Sequence, residues 1–263
     1  MKKDDLIKDF VIKGFNNVSK PMKTDGVHEF VLKNKIDNFI TKPINVKLHI
    51  WAGSLKSSQA FAYNIFSGSK NVAFECHFPV FDRDAQIDVK IEDMSNQTIH
   101  LYEVKMFEVI KKEKIQFEEK YDNPCYYKYL TKENVSAFIQ FKDETIRMFD
   151  NQTVYGGGIK QLCSHILGII NNLDKSPNLK YKLYSFCFDN PIFEKFDSDI
   201  ENYKKATSLF KIHVDKFLKK INFDSRVEYM GFLSATEYLI KNKELIGDEN
   251  YEYVMKRYFF ENK

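Results

Sequence analysis

Three short runs in which apolar and polar residues alternate constrain this chain of 263 residues more than any other feature. They are Phe74–Val80, Ala85–Ile91 and Ile99–Met106, and turn-prone polar residues separate them. Alternation with a period of two is typical of β-strands, because successive side chains point to opposite faces of a sheet. The sequence therefore predicts an antiparallel meander of three strands that is buried on one face.

The second and third strands can be aligned through the turn between them. A four-residue loop at residues 94–97 sets Asp93 opposite Thr98, and this register places Asp88 directly across from Glu103. The buried face is then apolar: Phe74, Cys76, Phe78, Val80, Ile87, Val89, Ile91, Tyr102, Val104 and Met106. The other face is polar: Glu75, His77, Asp88, Lys90, Glu103 and Lys105.

The facing carboxylates of Asp88 and Glu103 call for a positive charge between them. Two carboxylates roughly 5 Å apart repel by about 3 kcal/mol at an effective dielectric constant near 20. Mg²⁺ suits such a position, because it binds one or two carboxylates and completes its shell with water and phosphate oxygens. With Lys105 beside the pair, the pattern predicts a Mg²⁺ site for phosphodiester cleavage, in which Mn²⁺ can substitute.

These residues also resemble a known family. Asp88, fourteen intervening residues and Glu103-Val104-Lys105 are similar to the motif of the PD-(D/E)XK nuclease superfamily, which includes the type II restriction endonucleases. A narrower resemblance, to a bacterial family of restriction-endonuclease-like proteins, covers about residues 51–188. It is carried in this order by Ser57-Ser58-Gln59-Ala60, Phe74-Glu75, Ile87-Asp88 and Glu103-Val104-Lys105.

The resemblance implies a restriction-endonuclease-like α/β core, made of a helix, a three-stranded antiparallel meander, a helix and a strand. Its mixed central sheet would be flanked by helices and followed by a helical C-terminal part. It implies that Asp88, Glu103 and the Val104 carbonyl bind the metal, and that Lys105 orients the attacking water or offsets charge. Glu75 is a further candidate catalytic residue and ligand, because it shares the face of Asp88.

Two helices are expected to flank the meander. Ser54 is a candidate N-cap for a helix that ends at Phe66. That helix has no acidic residue, so either Glu75 completes the ligand set or only two carboxylates remain. The second helix, at residues 159–171, carries Gln161 and His165 one turn apart on a side away from most of its apolar stripe. Related nucleases often have a glutamine here that faces the catalytic centre, so Gln161 is the preferred candidate of the two.

The chain is predicted to form one domain in three parts. Residues 1–50 are an N-terminal extension, residues 51–190 are the nuclease core and residues 191–263 are its helical C-terminal part. The core contains an insertion at about residues 108–155. Its run Tyr126-Tyr127-Lys128-Tyr129 fits either stacking on nucleic-acid bases or packing within a small subdomain.

Three simpler patterns narrow the function classes. Gly156-Gly157-Gly158 lacks the Gly-Lys-Ser/Thr ending of a phosphate loop, so we expect no nucleotide cofactor and interpret the triplet as a flexible lead-in to the next helix. The four cysteines are too far apart for a Cys-x-x-Cys site and are interpreted as reduced core residues of a cytoplasmic protein. No apolar run approaches the ~20 residues of a membrane span, so no membrane partner is expected.

These features together predict a Mg²⁺-dependent DNA endonuclease of a restriction or defence type. The net charge of +3 permits a phosphate-binding surface without requiring one. RNA as the substrate and a homodimeric state are left open. The alternative is an inactive nuclease fold that binds nucleic acid or a protein partner; it is favoured by Ile87, which replaces the proline that usually precedes the aspartate. Neutralising Glu103 is expected to raise the melting temperature of the metal-free protein, because it relieves the repulsion between Glu103 and Asp88.

Overall fold

The computed structural model describes residues 57–149, 154–191 and 196–259. The predicted N-terminal extension and the candidate N-cap Ser54 lie outside these ranges. Five strands of the described residues form one mixed sheet, in which each strand neighbours the next along the chain. They are β1 (Val72–Pro79), β2 (Asp84–Asp93), β3 (Thr98–Lys105), β4 (Lys180–Cys187) and β5 (Val227–Ser234).

The first three strands are antiparallel, and β3, β4 and β5 are parallel to one another. Paired residues of β2 and β3 run from Asp93 opposite Thr98 to Val89 opposite Tyr102. The predicted register is therefore confirmed from Asp93 to Val89, but the pairing ends before the predicted Asp88–Glu103 pair.

Helices cover both faces of the sheet. Those described are α1 (Ser58–Phe66), α2 (Lys132–Phe149), α3 (Gly156–Asn172), α4 (Asp197–Lys220), α5 (Ala235–Lys241), α6 (Lys243–Ile246) and α7 (Asp248–Tyr258). One apolar core lies between the sheet and α2, α3 and α4, and the other lies between the sheet and α1, α5, α6 and α7. The chain thus has the predicted α/β fold, with a five-stranded mixed sheet flanked by helices.

The prediction of a meander with one buried face is wrong. The side of the sheet expected to be polar and open lies under α3, where Glu103 is 2% exposed and Lys105 is 5% exposed. A parallel strand on one side of β3 and helices on both faces bury that strand almost entirely, as is usual for the parallel part of a sheet. The charged residues are therefore an internal group rather than an exposed surface.

The regular alternation also fails at one position of β2. Ile87 packs in the core under α3, whereas Val89 packs in the core under α1. Side chains two residues apart on a strand normally share a face, so the strand changes face at Asp88. Opposite this position on β1, Glu75 has a left-handed φ of +51°, which is uncommon for a residue with a side chain. This irregularity explains why one apolar face could not accommodate all the residues assigned to it.

The helix predictions differ in their outcome. Ser57 caps α1 by accepting a hydrogen bond from the Ala60 N–H, three residues later than the predicted cap. The helix α2 was not predicted; it lies within the segment at about residues 108–155 that was expected to be an insertion. Its buried residues nevertheless have helical spacing: Val135, Phe138, Phe141, Lys142, Thr145 and Phe149.

The glycine triplet is the first turn of α3 rather than a flexible lead-in. A Cβ atom at Gly156 would lie 2.3 Å from the carbonyl oxygen of Glu113. The glycines are therefore needed because the backbone of the preceding connection passes directly over the start of the helix. This contact fixes the end of α3 that lies nearest to Lys105.

All four cysteines are free, which agrees with the expected absence of disulfides in the chain. Cys163 and Cys187 are buried, but Cys125 is exposed, so its assignment to the core is wrong. Among the described helices, none combines the length and the apolar character needed to cross a membrane.

Candidate active site

Asp88 occupies the point where the pairing of β2 with β3 stops. Beyond Val89 and Tyr102, the Val104 N–H donates to the Asp88 carboxylate, with 2.6 Å between N and Oδ2. The N–H and C=O of one strand residue point to the same strand edge, so the Val104 carbonyl also points to this edge. The structure thus brings Asp88 and Val104, both predicted metal ligands, to the same opening in the sheet.

Glu103 lies at the centre of a buried charged group. One carboxylate oxygen, Oε1, is 2.5 Å from the Lys105 ammonium, and the other, Oε2, is 2.6 Å from Nε2 of His165. His165 is 3% exposed, and its Nδ1 has no hydrogen-bond partner among the described residues. A proton on Nε2 therefore lets the ring donate to Glu103. Both oxygens of this predicted ligand are engaged by side chains.

Lys105 connects the buried pair to the surface. Its ammonium donates to Oε1 of Gln161 at 2.9 Å and lies 5.9 Å from the centre of the Tyr155 ring. Gln161 is exposed and Tyr155 is half-buried. Gln161, the candidate site residue on α3, thus contacts the candidate catalytic lysine directly. The exposed Gln161 amide thus links the buried Lys105 ammonium to the surface of α3.

Opposing electrostatic effects act on Glu103 and Lys105. Burial alone would raise the pKa of Glu103, but Lys105 and His165 outweigh it and lower the pKa to about 2. Burial would lower the pKa of Lys105, but Glu103 and Asp88 outweigh it and raise the pKa well above its ordinary value. The two groups therefore remain an ion pair at neutral pH.

The pKa of Asp88 shifts in the opposite direction from that of Glu103. Burial, and next the charge of Glu103, raise the pKa of Asp88 well above its ordinary value, although Lys105 and the Val104 N–H act against this. The residue as a whole is half-buried, and the desolvation of its carboxyl group is the largest cause of the raised pKa. Lys105 forms its ion pair with Glu103, so its charge offsets the effects of burial and of Glu103 on Asp88 only in part. A cation at this position would lower the pKa of Asp88 again.

The residues around Asp88 fit Mg²⁺ in part. Asp88 Oδ1 has no hydrogen-bond partner among the described residues, and the Val104 carbonyl points to the same edge. Mg²⁺ commonly uses one or two protein oxygens and retains several waters. The fit of Glu103 is poorer, because an ion would have to share its oxygens with Lys105 and His165. Within the described ranges no three His, Cys, Asp or Glu side chains cluster as a metal site.

Glu75 lies close enough to Asp88 for its charge to raise the pKa of Asp88. Its two carboxylate oxygens accept hydrogen bonds from the amides of Gln59, at 2.9 Å, and Gln86. Gln59 on α1 thus binds Glu75 instead of supplying an acid. Two other members of the predicted polar face lie apart from this group: Lys90 pairs with Glu92 at 2.7 Å, and His77 lies 3.6 Å from Asp84.

Sequence reasoning missed part of the surroundings of Lys105. Tyr155 immediately precedes the glycine triplet, and its position on Lys105 depends on the close contact at Gly156. Ser185 lies opposite Glu103 in the β3–β4 pairing, and its hydroxyl is 3.3 Å from the Tyr203 hydroxyl. Ser185 is a small polar residue in the buried last part of β4, next to Phe186 and Cys187, and this was the available signal for the second contact.

His165→Leu is expected to destabilise the protein by about 1–3 kcal/mol, because Glu103 loses one of its two hydrogen-bonding side chains while it remains buried. His165→Gln keeps a donor and should recover part of this loss. Urea unfolding at neutral pH measures both free energies. Equal stability of the wild type and His165→Leu would show that this contact does not stabilise Glu103.

The site therefore combines a half-buried acid, a buried ion pair and an exposed amide at one end of β3. Asp88, Glu103, Lys105 and Gln161 were predicted as members, and His165 is more closely involved than expected. Such an arrangement can bind a cation at Asp88 and present a fixed ammonium group beside it. Comparison with protein-family models, curated proteins and solved structures gives no match for this chain.

Proposed function

We propose that this protein is a metal-dependent deoxyribonuclease of the PD-(D/E)XK type, acting as a restriction-type or defence-related endonuclease. The observation that supports this most is the uncompensated Asp88 carboxylate at the opening of the sheet, next to the fixed Glu103–Lys105 pair. The order of elements, a helix, an antiparallel meander, helices and a parallel strand, is compatible with a restriction-endonuclease-like core.

The side chains have separate roles in this proposal. Asp88 and the Val104 carbonyl would hold Mg²⁺, with a share from Glu103 and with Glu75 adding negative charge nearby. When bound, the ion supplies a Lewis acid that lowers the pKa of a bound water. Lys105 would offset the charge that develops on the phosphate. Because its ammonium is already held in place, little reorganisation would be needed during the reaction.

A second candidate function is a nuclease-like protein that binds nucleic acid, or a partner protein, without cutting it. It is favoured by the engagement of both Glu103 oxygens and by the 2% exposure of that residue. In such a protein the Glu103–Lys105 pair would stabilise the fold and would take no part in catalysis. Divalent ions would then bind weakly and would not alter the contact with nucleic acid.

A cleavage assay separates these functions. Purified protein is incubated with supercoiled, linear and single-stranded DNA and with RNA, in Mg²⁺, in Mn²⁺ and in EDTA. We expect DNA cleavage in either ion and no cleavage in EDTA, and the resemblance to the PD-(D/E)XK nucleases implies products with 5′-phosphates. Absence of cleavage under every condition would contradict the nuclease and favour the binding protein. Cleavage of RNA alone would contradict DNA as the substrate.

A further inference from the structure

A short basic segment lies beside the candidate active site. Lys111, Lys112 and Lys114, called here the lysine ridge, follow the short 3₁₀ helix that comes after β3. All three side chains are exposed, and none forms a salt bridge with a described residue. The ridge thus presents three positive charges without acidic partners in the described part of the chain.

The backbone fixes this ridge to the site. Glu113 forms an isolated parallel bridge with Tyr155, supported by hydrogen bonds of 3.1 Å from the Glu113 N–H to the Val154 carbonyl and from the Gly156 N–H to the Glu113 carbonyl. Adjacent strands are about 4.8 Å apart, and Tyr155 lies against Lys105. The lysine ridge is therefore one strand spacing from a residue that contacts the proposed catalytic lysine.

The burial pattern shows which side chains of this segment point away from the core. Ile115 is 7% exposed and Phe117 packs against the core, whereas Lys112, Lys114 and Gln116 are exposed. The acid within the ridge does not neutralise it, because a Cβ atom at Gly157 would lie 2.7 Å from Oε2 of Glu113. The Glu113 carboxylate is therefore placed at the start of α3, where the helix dipole favours a negative charge.

We propose that the lysine ridge binds the phosphodiester backbone of the nucleic acid on the strand next to the bond that is cut. This inference rests on the proposed function. Exposed lysines bind phosphates as flexible point charges, which positions a strand without reading its sequence. The ridge would contact phosphates that flank the one at Asp88 and Lys105, and it contributes affinity rather than chemistry.

The test compares Lys111→Gln/Lys112→Gln/Lys114→Gln with a matched control, Lys216→Gln/Lys219→Gln/Lys220→Gln. The control lysines are exposed at the far end of α4, 13 or more residues beyond Tyr203. Binding of labelled duplex and single-stranded oligonucleotides, of DNA and of RNA, is measured in EDTA over a series of salt concentrations. The DNA and RNA arms establish which polymer supplies the phosphates.

The logarithm of the binding constant falls linearly with the logarithm of the salt concentration. Each lost phosphate contact makes this dependence less steep, by about 0.9 for duplex DNA and about 0.7 for single strands. We expect the ridge variant to lose roughly 2 to 3 units of slope on duplex DNA, and the control variant to match the wild type. An unchanged slope in the ridge variant, equal losses in both variants, or no binding by the wild type at low salt would overturn the proposal.

The two proposals can fail separately. If the wild type cuts DNA and the ridge variant keeps the wild-type salt slope, the ridge proposal is overturned and the nuclease stands. If the slope falls as expected but no protein cuts DNA, the ridge proposal is supported and the nuclease is contradicted. For an active enzyme, the ridge variant should have a raised KM and a nearly unchanged kcat.

Discussion

Asp88→Asn and Lys105→Met are each expected to lower Mg²⁺-dependent DNA cleavage by at least ~10²–10³-fold. An asparagine at position 88 can still accept the hydrogen bond from the Val104 N–H, but it loses the charge that would attract the ion. A methionine at position 105 retains much of the buried stem but removes the ammonium group. Initial cleavage rates at saturating DNA measure both effects.

Matched controls lie on the same strand as Asp88. Asp84→Asn removes an exposed acid from β2, and Lys90→Met removes a lysine that pairs with Glu92. Both controls should retain wild-type cleavage rates. Circular dichroism verifies that each variant is folded. If either Asp88→Asn or Lys105→Met, in folded form, retained more than a few percent of the activity, that residue would have no part in the mechanism.

Glu103→Gln is expected to destabilise the metal-free protein by about 3–5 kcal/mol, because it removes one partner of a buried ion pair. For a chain of this size, the melting temperature would fall by roughly 10 °C. The structure thus reverses the effect expected from the sequence, which considered only repulsion from Asp88. Lys105 and His165 contact Glu103 directly, and their attraction outweighs that repulsion.

The pH dependence gives this prediction a second test. The pKa of Glu103 is lowered from 4.5 to about 2, so its contribution to stability is present above pH 4.5 and is lost as the pH falls toward 2. The difference in unfolding free energy between the wild type and Glu103→Gln should shrink over that range. Higher stability of Glu103→Gln than of the wild type at pH 7 would contradict the assignment of Glu103 to a stabilising ion pair.

Asp88→Asn should change stability in the opposite direction. The pKa of Asp88 is raised, so the folded protein binds a proton more readily than the unfolded chain, and the charged carboxylate destabilises the fold at higher pH. Removing that charge should raise the melting temperature at neutral pH in EDTA. Opposite signs at two neighbouring acids distinguish an ion-binding carboxylate from a structural one.

Patterns of apolar and polar residues close together in the sequence were sufficient to predict much of the fold. Alternation and one turn gave most of the β2–β3 register, and the buried residues of α4 have the helical spacing expected of the helical C-terminal part. The Ser234 side chain accepts a hydrogen bond from the Glu237 N–H, as the sequence Ser-x-x-Glu at a helix N-terminus favours. These features depend on residues close together in the chain, where periodicity and hydrogen-bonding chemistry determine the outcome.

The features that the sequence did not predict depend on contacts between residues far apart in the chain. The change of face at Asp88 follows from the conformation of Glu75 on another strand, and no periodicity of β2 reveals it. The pairing of His165 with Glu103 requires α3 to cover the polar side of β3. Alternation and the turn brought the two acids and the lysine together, but the sign of the effect of Glu103 depends on which cations contact it.

A calorimetric titration with Mn²⁺ shows whether Asp88 carries a charge that a divalent cation neutralises. We expect the wild type and Asp84→Asn to bind Mn²⁺ with a rise in melting temperature, and Asp88→Asn to lose both effects. Equal Mn²⁺ binding by the wild type and Asp88→Asn, or none by the wild type, would mean that Asp88 does not bind the ion.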